Sequence, residues 1–140
     1  MDKSLNYLGL ARKAGKAELG EEPVGAAARA LHAHLIIVAS DASDHTWRRA
    51  KSYVAGTDQQ CIRVPFTKDE IGFIIGRSSL AMAAITDPAL ALSFVKSLEH
   101  PEKYQDAAAY LEQRVKKVRQ RRQEEKAHQR NLHHGKKKKD

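Results

Sequence analysis

The chain has 140 residues, 41% apolar and 30% charged, so it can form one ordinary domain and is neither low in complexity nor disordered throughout. Its apolar runs fall short of the roughly 18 residues that span a bilayer, and its first residues lack the apolar segment of a secretory signal, so we expect a cytoplasmic protein without a membrane span. A single cysteine, Cys61, excludes an internal disulfide and a cysteine metal cluster.

The elements at the start of the chain are predicted from spacing and glycines. Residues 5–14 place leucines at helical spacing, and Gly15 supplies a residue that tolerates a left-handed helix end. Residues 16–19 are predicted to form a short extended link. A second helix then opens with two glutamates and a proline, which suit a first turn, and continues to about Leu31.

A central strand is predicted at residues 35–39, because a continuous apolar run with three β-branched residues is typical of a strand covered on both faces. A third helix follows, capped by Ser43 or Asp44, and ends before Gly56. Residues 61–64 are predicted to form another short strand.

The last elements of the first hundred residues begin with two cap signals. Thr67 and Glu70 fit a capping box, which predicts a short helix ending near Gly76. An apolar strand is predicted over residues 80–86. An Asp-Pro pair then opens a helix that continues to about residue 98.

This alternation over residues 1–99 predicts an α/β fold, a three-layer α-β-α sandwich with a small mixed four-stranded sheet and parallel pairing where helices cross over. Residues 100–140 are predicted to form a basic helical extension of about five turns and, from residue 121, a disordered lysine-rich tail. The apolar stripe of that helix consists of Tyr104, Ala108, Leu111, Val115 and Val118.

The positive charge is concentrated in this extension. Residues 1–100 hold 12 Lys or Arg against 11 Asp or Glu, whereas residues 101–140 hold 13 against 6. Only the second region has an excess of cations that can displace counterions from phosphates. The cations predicted to bind RNA there are Arg114, Lys116, Lys117, Arg119, Arg121, Arg122, Lys136, Lys137, Lys138 and Lys139.

Three stretches of the first hundred residues carry a resemblance to a known family. They are LGLARKAGK at 8–16 with Gly-Glu-Glu at 20–22, LIIVASDAS at 35–43, and Ile-Gly at 71–72 with Gly76 before an apolar strand. Together they resemble the ribosomal-protein L-seven-Ae and L-thirty-e superfamily of kink-turn RNA binders, in particular its small bacterial YlxQ-like members. The resemblance covers most of residues 3–98.

This resemblance implies a non-catalytic protein that recognises structured RNA, with ribosomal RNA and ribosomal proteins as expected partners and with no cofactor, small-molecule substrate or membrane. The second helix would point its N-terminus into the groove of a kinked RNA, and the loop before the last strand would contact flipped-out bases. The implied contacts are Lys16, Gly20, Glu21 and Glu22 at the helix and Gly76, Arg77, Ser78, Ser79 and Leu80 at the loop. Pro23 departs from the family pattern, since it offers no side-chain polar atom to a base edge.

Other functions have weaker signals. Asp41 and Asp44 form a carboxylate pair after a central strand, but capping of the third helix explains them more simply. The histidines show no metal-ligand spacing, and Trp47 and Tyr53 are predicted to be core residues. An alternative to specific RNA recognition is a protein-interaction or dimerisation module that uses the stripe of the C-terminal helix and binds RNA only non-specifically. The stripe could equally pack on the protein's own domain.

Overall fold

The computed structural model describes residues 3–138, in which helices and strands alternate up to residue 96 and one long helix follows. A 3-10 turn, Pro101–Tyr104, leads into that helix. The helices are α1 (Lys3–Lys13), α2 (Glu21–Arg29), α3 (Asp44–Val54), α4 (Lys68–Ile74), α5 (Pro88–Lys96) and α6 (Gln105–Lys138). The strands are β1 (Ala17–Leu19), β2 (Leu35–Val38), β3 (Gln60–Arg63) and β4 (Met82–Ile85).

The four strands form one mixed sheet in the order β1-β4-β2-β3. β2 and β3 are parallel, as expected for strands joined by the crossover helix α3. β4 is antiparallel to both of its neighbours, β1 and β2, so parallel pairing is less common than the sequence predicts. The predicted link at 16–19 contains the edge strand β1. The mixed four-stranded sheet itself is confirmed.

Helices cover both faces of the sheet and so confirm the three layers. In β2, Leu35 and Ile37 join the core under α1, α4, α5 and the start of α6. Ile36 and Val38 point the other way, into a second core under α2 and α3. All four residues are buried, which confirms the prediction of a central strand covered on both faces.

The predicted helix ends are confirmed by their hydrogen bonds. The Ser43 side chain accepts from the Thr46 N–H at the start of α3. The reciprocal bonds of the capping box at Thr67 are both formed, and the Asp87 carboxylate accepts from a backbone N–H in the first turn of α5. Gly15 has a φ of +71°, the left-handed conformation predicted for it. Each cap typically contributes about 1 kcal/mol.

The apolar stripe of α6 packs against the protein's own domain. Ala107 and Leu111 belong to the larger core, and Val115 is also buried. Tyr104 donates a hydrogen bond from its hydroxyl to the Arg63 carbonyl (3.3 Å). The option in which the stripe folds back is therefore correct, and the stripe is not free to bind a partner or a second copy. The folded core consequently includes residues beyond 99.

The second half of α6 differs from the predicted disordered tail, since its backbone is helical as far as Lys138. Described residues 119–131 are all exposed, so the prediction that the apolar stripe ends near Arg119 is confirmed. The difference arises because Arg, Gln, Glu and Lys are good helix formers and the docked first turns provide the nucleus. An i,i+4 hydrogen bond from Gln120 to Glu124 (3.3 Å) adds local support. Lys139 lies outside the described residues.

No helix in the described part of the chain is both long and apolar enough to cross a membrane.

Candidate nucleic-acid interface

One end of the sheet brings the two predicted contact segments together. Because β4 is antiparallel to β1, the residues that precede β4 lie beside the residues that follow β1. The Gly20 N–H donates to the Met82 carbonyl (2.9 Å), and the Ala39 N–H donates to the Ala81 carbonyl (2.9 Å). The start of α2 and the loop at 76–80 are therefore neighbours.

The start of α2 lies at the surface and has no side-chain cap. Gly20 occupies the position before the helix with a φ of +97°, which favours glycine, and supplies no capping side chain. Glu22 and Pro23 are exposed. Since Pro23 has no N–H, the backbone N–H groups of Glu21 and Glu22 head the helix. Together with the positive end of the helix dipole, they form a donor surface for anions or base acceptors.

Glu21 is held by α3. Its carboxylate accepts from the Arg49 guanidinium (3.3 Å) and from the Thr46 hydroxyl (3.4 Å). The ion pair compensates part of the negative charge at the start of α2 and ties α2 to α3. Glu21 therefore positions the helix, whereas Glu22 is the acidic side chain that faces solvent.

The loop at 76–80 is anchored by backbone bonds to α4. Gly76 has a φ of +75°, and the Arg77 N–H donates to the Gly72 carbonyl (2.8 Å). The Leu80 N–H donates to the Lys68 carbonyl (2.8 Å). The Leu80 side chain is 6% exposed and belongs to the larger core, where it anchors the loop; its contact with RNA stays a prediction.

The tip of the loop presents Arg77, Ser78 and Ser79 to solvent, where the predicted RNA contacts would be accessible. Its path depends on Gly72, which carries part of the family resemblance in the sequence but is not among the predicted contact residues. A Cβ at Gly72 would lie 2.6 Å from the Ser79 Cα, closer than real Cβ atoms approach backbone, and in a tight contact of 3.0 Å with the Arg77 carbonyl oxygen. A glycine inside a predicted helix is the signal that could have identified this residue.

Lys16 lies away from the loop. Its carbonyl accepts from the Thr86 N–H (2.8 Å), which places it at the other end of β1 from Gly20. Its side chain is exposed and lines a shallow cleft with Pro23 and His32. The structure therefore does not bring Lys16 to the loop as part of one site.

Lys68 is a cation beside the loop that the sequence analysis missed. It is exposed, and its backbone N–H donates to the Asp41 carboxylate (2.9 Å) at the start of α4. The expectation that Asp41 caps the third helix is therefore wrong: it caps α4, while Ser43 caps α3. The sequence could not show this, because residues 41 and 68 meet only through the pairing of β2 with β3.

Trp47 lies at the same end of the sheet, on α3. It packs against the smaller core and is half-buried, which agrees with the prediction for it only in part. The Lys51 ammonium lies 5.6 Å and the Arg63 guanidinium 5.3 Å from its ring centre. These distances are typical of cation–π contacts, so the ring has cationic neighbours from both α3 and β3.

The cations of α6 lie on other surfaces. Arg114 is half-buried and lines a cleft of about 640 Å³ with Lys117, His34 and Tyr110. His34 Nδ1 and the Tyr110 hydroxyl are 3.0 Å apart; burial lowers the pKa of His34, and burial raises that of Tyr110. The other described cations predicted to bind RNA are exposed on α6, namely Lys116, Lys117, Arg119, Arg121 and Arg122, whereas the side chains of Lys136, Lys137 and Lys138 are outside those described.

Known proteins resemble this chain in sequence and in fold. The chain is 36% identical over 75 residues to RNA-binding protein YlxQ of Enterococcus faecium, a match that covers 54% of this chain and 72% of the relative. A protein of unknown function from Bacillus halodurans C superposes with a TM-score of 0.64 at 25% identity, over 69% of this chain and 97% of that one. A 15.5kD RNA-binding protein of Giardia lamblia gives a TM-score of 0.47 at 16% identity, over 78% and 82%. No protein-family model matches the chain.

The fold is thus a three-layer α-β-α domain with a helix start and a glycine-shaped loop side by side at one end of a mixed sheet. The chain belongs to the YlxQ family, and the resemblance drawn from the sequence is confirmed.

Proposed function

We propose that this protein binds structured RNA of the kink-turn type through a surface formed by residues 20–22 and 77–79, named here the loop surface. The observation that carries the proposal is the hydrogen bond from Gly20 to Met82, because it fixes an exposed helix start next to an exposed loop with a guanidinium at its tip. A relative in the same family is named an RNA-binding protein.

The chemistry of the loop surface suits an irregular RNA. Backbone donors at the start of α2 can meet a phosphate or a base acceptor, and Glu22 can accept from a guanine amino group. Arg77 can contact a phosphate or stack on an unpaired base, while Ser78 and Ser79 can donate hydrogen bonds from their hydroxyl groups. Regular A-form RNA hides the major-groove edges of its bases in a deep, narrow groove, so the unpaired bases of a kinked or bulged RNA supply acceptors that a plain duplex does not.

The proposal is of a binding protein associated with ribosomal RNA in the cytoplasm, not of an enzyme. Two side chains that could have supported catalysis, Asp41 and Cys61, are poorly placed or poorly activated for it. The Asp41 carboxylate is bound to the start of α4. Burial raises the pKa of the Cys61 thiol, against a smaller opposite effect of Lys51, so the thiol is a poor nucleophile at neutral pH.

Fluorescence anisotropy with a labelled kink-turn RNA and a straight duplex of equal length tests the proposal. The full chain is expected to bind the kink-turn more tightly. Arg77→Ala is expected to weaken kink-turn binding by about tenfold or more, since charge-assisted hydrogen bonds contribute about 1.5–3 kcal/mol.

Arg29→Ala is the matched control, because Arg29 is equally exposed but lies at the other end of α2. It removes the same charge and is expected to leave the preference for the kink-turn unchanged. Equal affinity of the parent chain for the two RNAs, or equal losses in the two variants, would contradict the proposal.

A further inference from the structure

The direction of α6 separates its cations from the loop surface. Tyr104, just before α6, is bonded to the carbonyl of Arg63, at the end of β3 that lies near the loop surface. Tyr110 is bonded to His34, just before the start of β2. The helix therefore runs antiparallel to β2 and β3, away from the loop surface.

The exposed half of α6 continues in that direction beyond the sheet. At 1.5 Å per residue, Arg130 lies about 40 Å along the helix from Tyr104. Arg119, the first cation of that half, is already about 22 Å along the helix, on the side of the domain away from the loop surface. An RNA bound by the cations of the exposed half is therefore a second ligand, or a distant part of a long one.

Four of the five described cations of the exposed half lie on one side of the helix, and Arg121 lies on the other. Arg119, Arg122, Lys126 and Arg130 follow one another at three- and four-residue intervals, within an arc of roughly 80°. They continue the face that Leu111 and Val115 bury against the domain. Where α6 leaves the domain, this face thus changes from apolar to cationic, and all four side chains are exposed. We call this row the cationic stripe.

The acidic residues of the same segment lie on other faces. Glu124 and Glu125 are both more than 60° from the centre of the cationic stripe by helical geometry. The stripe therefore presents a row of positive charge along one line without acids interleaved. A regularly spaced polyanion is the complementary ligand, and the phosphate backbone of a duplex is such a polyanion.

We infer that the cationic stripe is a second RNA-binding surface, which grips the backbone of a duplex while the loop surface holds a separate kinked element. The protein then bridges two RNA segments. The part of this inference that concerns the loop surface rests on the proposed function; the part that concerns the stripe does not. The stripe reads no sequence, because phosphate contacts fix position and not base identity.

A capture experiment with the full chain tests the bridge. Protein is loaded on immobilised kink-turn RNA, and retention of a fluorescent straight duplex is measured over a salt series. The parent chain is expected to retain the duplex, with log K falling against log salt at a slope of about −3 to −4 for four phosphate contacts. Absence of retention, with the two RNAs competing for one surface, would overturn the inference.

Two double variants on α6 give a matched comparison. Arg122→Gln with Lys126→Gln removes two stripe cations and is expected to abolish retention and to reduce the slope by about 2, while loading on the kink-turn is kept. Lys117→Gln with Arg121→Gln removes two cations at the same spacing on the opposite side of the helix. The sequence predicts RNA contacts for these two as well, but the stripe excludes them, so this variant is expected to leave retention intact. Equal losses in both would show diffuse charge and no stripe.

Direct binding of the duplex without the kink-turn separates the two proposals. If the parent chain shows no preference for kinked RNA but still binds the duplex through the stripe, the proposed function fails and the stripe stands. If poly-glutamate displaces no duplex, the RNA assignment holds. Tighter binding of an acidic polypeptide than of the duplex at equal charge would assign the stripe to a protein partner and overturn the inference that it binds RNA.

Discussion

Gly72 controls the path of the loop surface, and its replacement by alanine gives a sharp test. A Cβ at this position would lie 2.6 Å from the Ser79 Cα and 2.8 Å from the Ser79 nitrogen. To restore 3.4 Å, the Ser79 backbone has to move by about 0.8 Å, and the backbone bond from Arg77 to Gly72 opposes that movement. Overpacking of this kind costs about 1–3 kcal/mol.

Gly9→Ala is the matched control in α1. A Cβ there would meet Ile74 at 4.0 Å, which is ordinary contact. Both glycines lie within helices, so alanine brings each variant a gain of about 0.5–1 kcal/mol from helix propensity. The difference between the two variants therefore isolates the steric effect.

Urea unfolding and kink-turn affinity are the assays. Gly9→Ala is expected to stabilise the protein, whereas Gly72→Ala is expected to be less stable than Gly9→Ala by about 1–3 kcal/mol and to bind the kink-turn more weakly. If the two variants are equally stable and bind RNA equally well, the close approach of Gly72 to Ser79 does not set the loop path, and our account of the loop surface is wrong.

Three further changes test the packing of α6, the buried histidine and a helix cap. Leu111→Ala removes a fully buried side chain between α6 and the domain and should lower the free energy of unfolding in urea by about 2–5 kcal/mol; a loss near zero would mean that α6 is undocked in solution. The pKa of His34 is lowered in the folded protein, so the unfolded state takes up a proton first as pH falls. The stability that neutral His34 contributes is therefore present above pH 6.5 and is lost on further acidification. The melting temperature should fall with acidification more in the parent chain than in His34→Gln. Thr67→Ala removes a capping box and should cost about 1 kcal/mol in thermal or urea unfolding, and an unchanged midpoint would contradict its role.

The features that the sequence predicted correctly are local. A cap such as Ser43 acts on a residue three positions away, so its signal lies within one turn of the chain. The apolar run of β2 likewise carries its own evidence of burial on both faces. The family resemblance added the two segments of the loop surface; residues 77–79 are exposed, and their contact with RNA stays a prediction.

The arrangement of these elements was decided by contacts between distant residues. The insertion of β4 between β1 and β2 places Gly20 beside the loop and Lys16 at the far end of the strand. The same packing pairs Glu21 with Arg49, places the Asp41 carboxylate at the start of α4, where it accepts a backbone hydrogen bond, and directs α6 away from the loop surface. Periodicity and caps report which residues are buried or which begin a helix, but not which distant residues meet, because pairing energy depends on the whole assembled sheet.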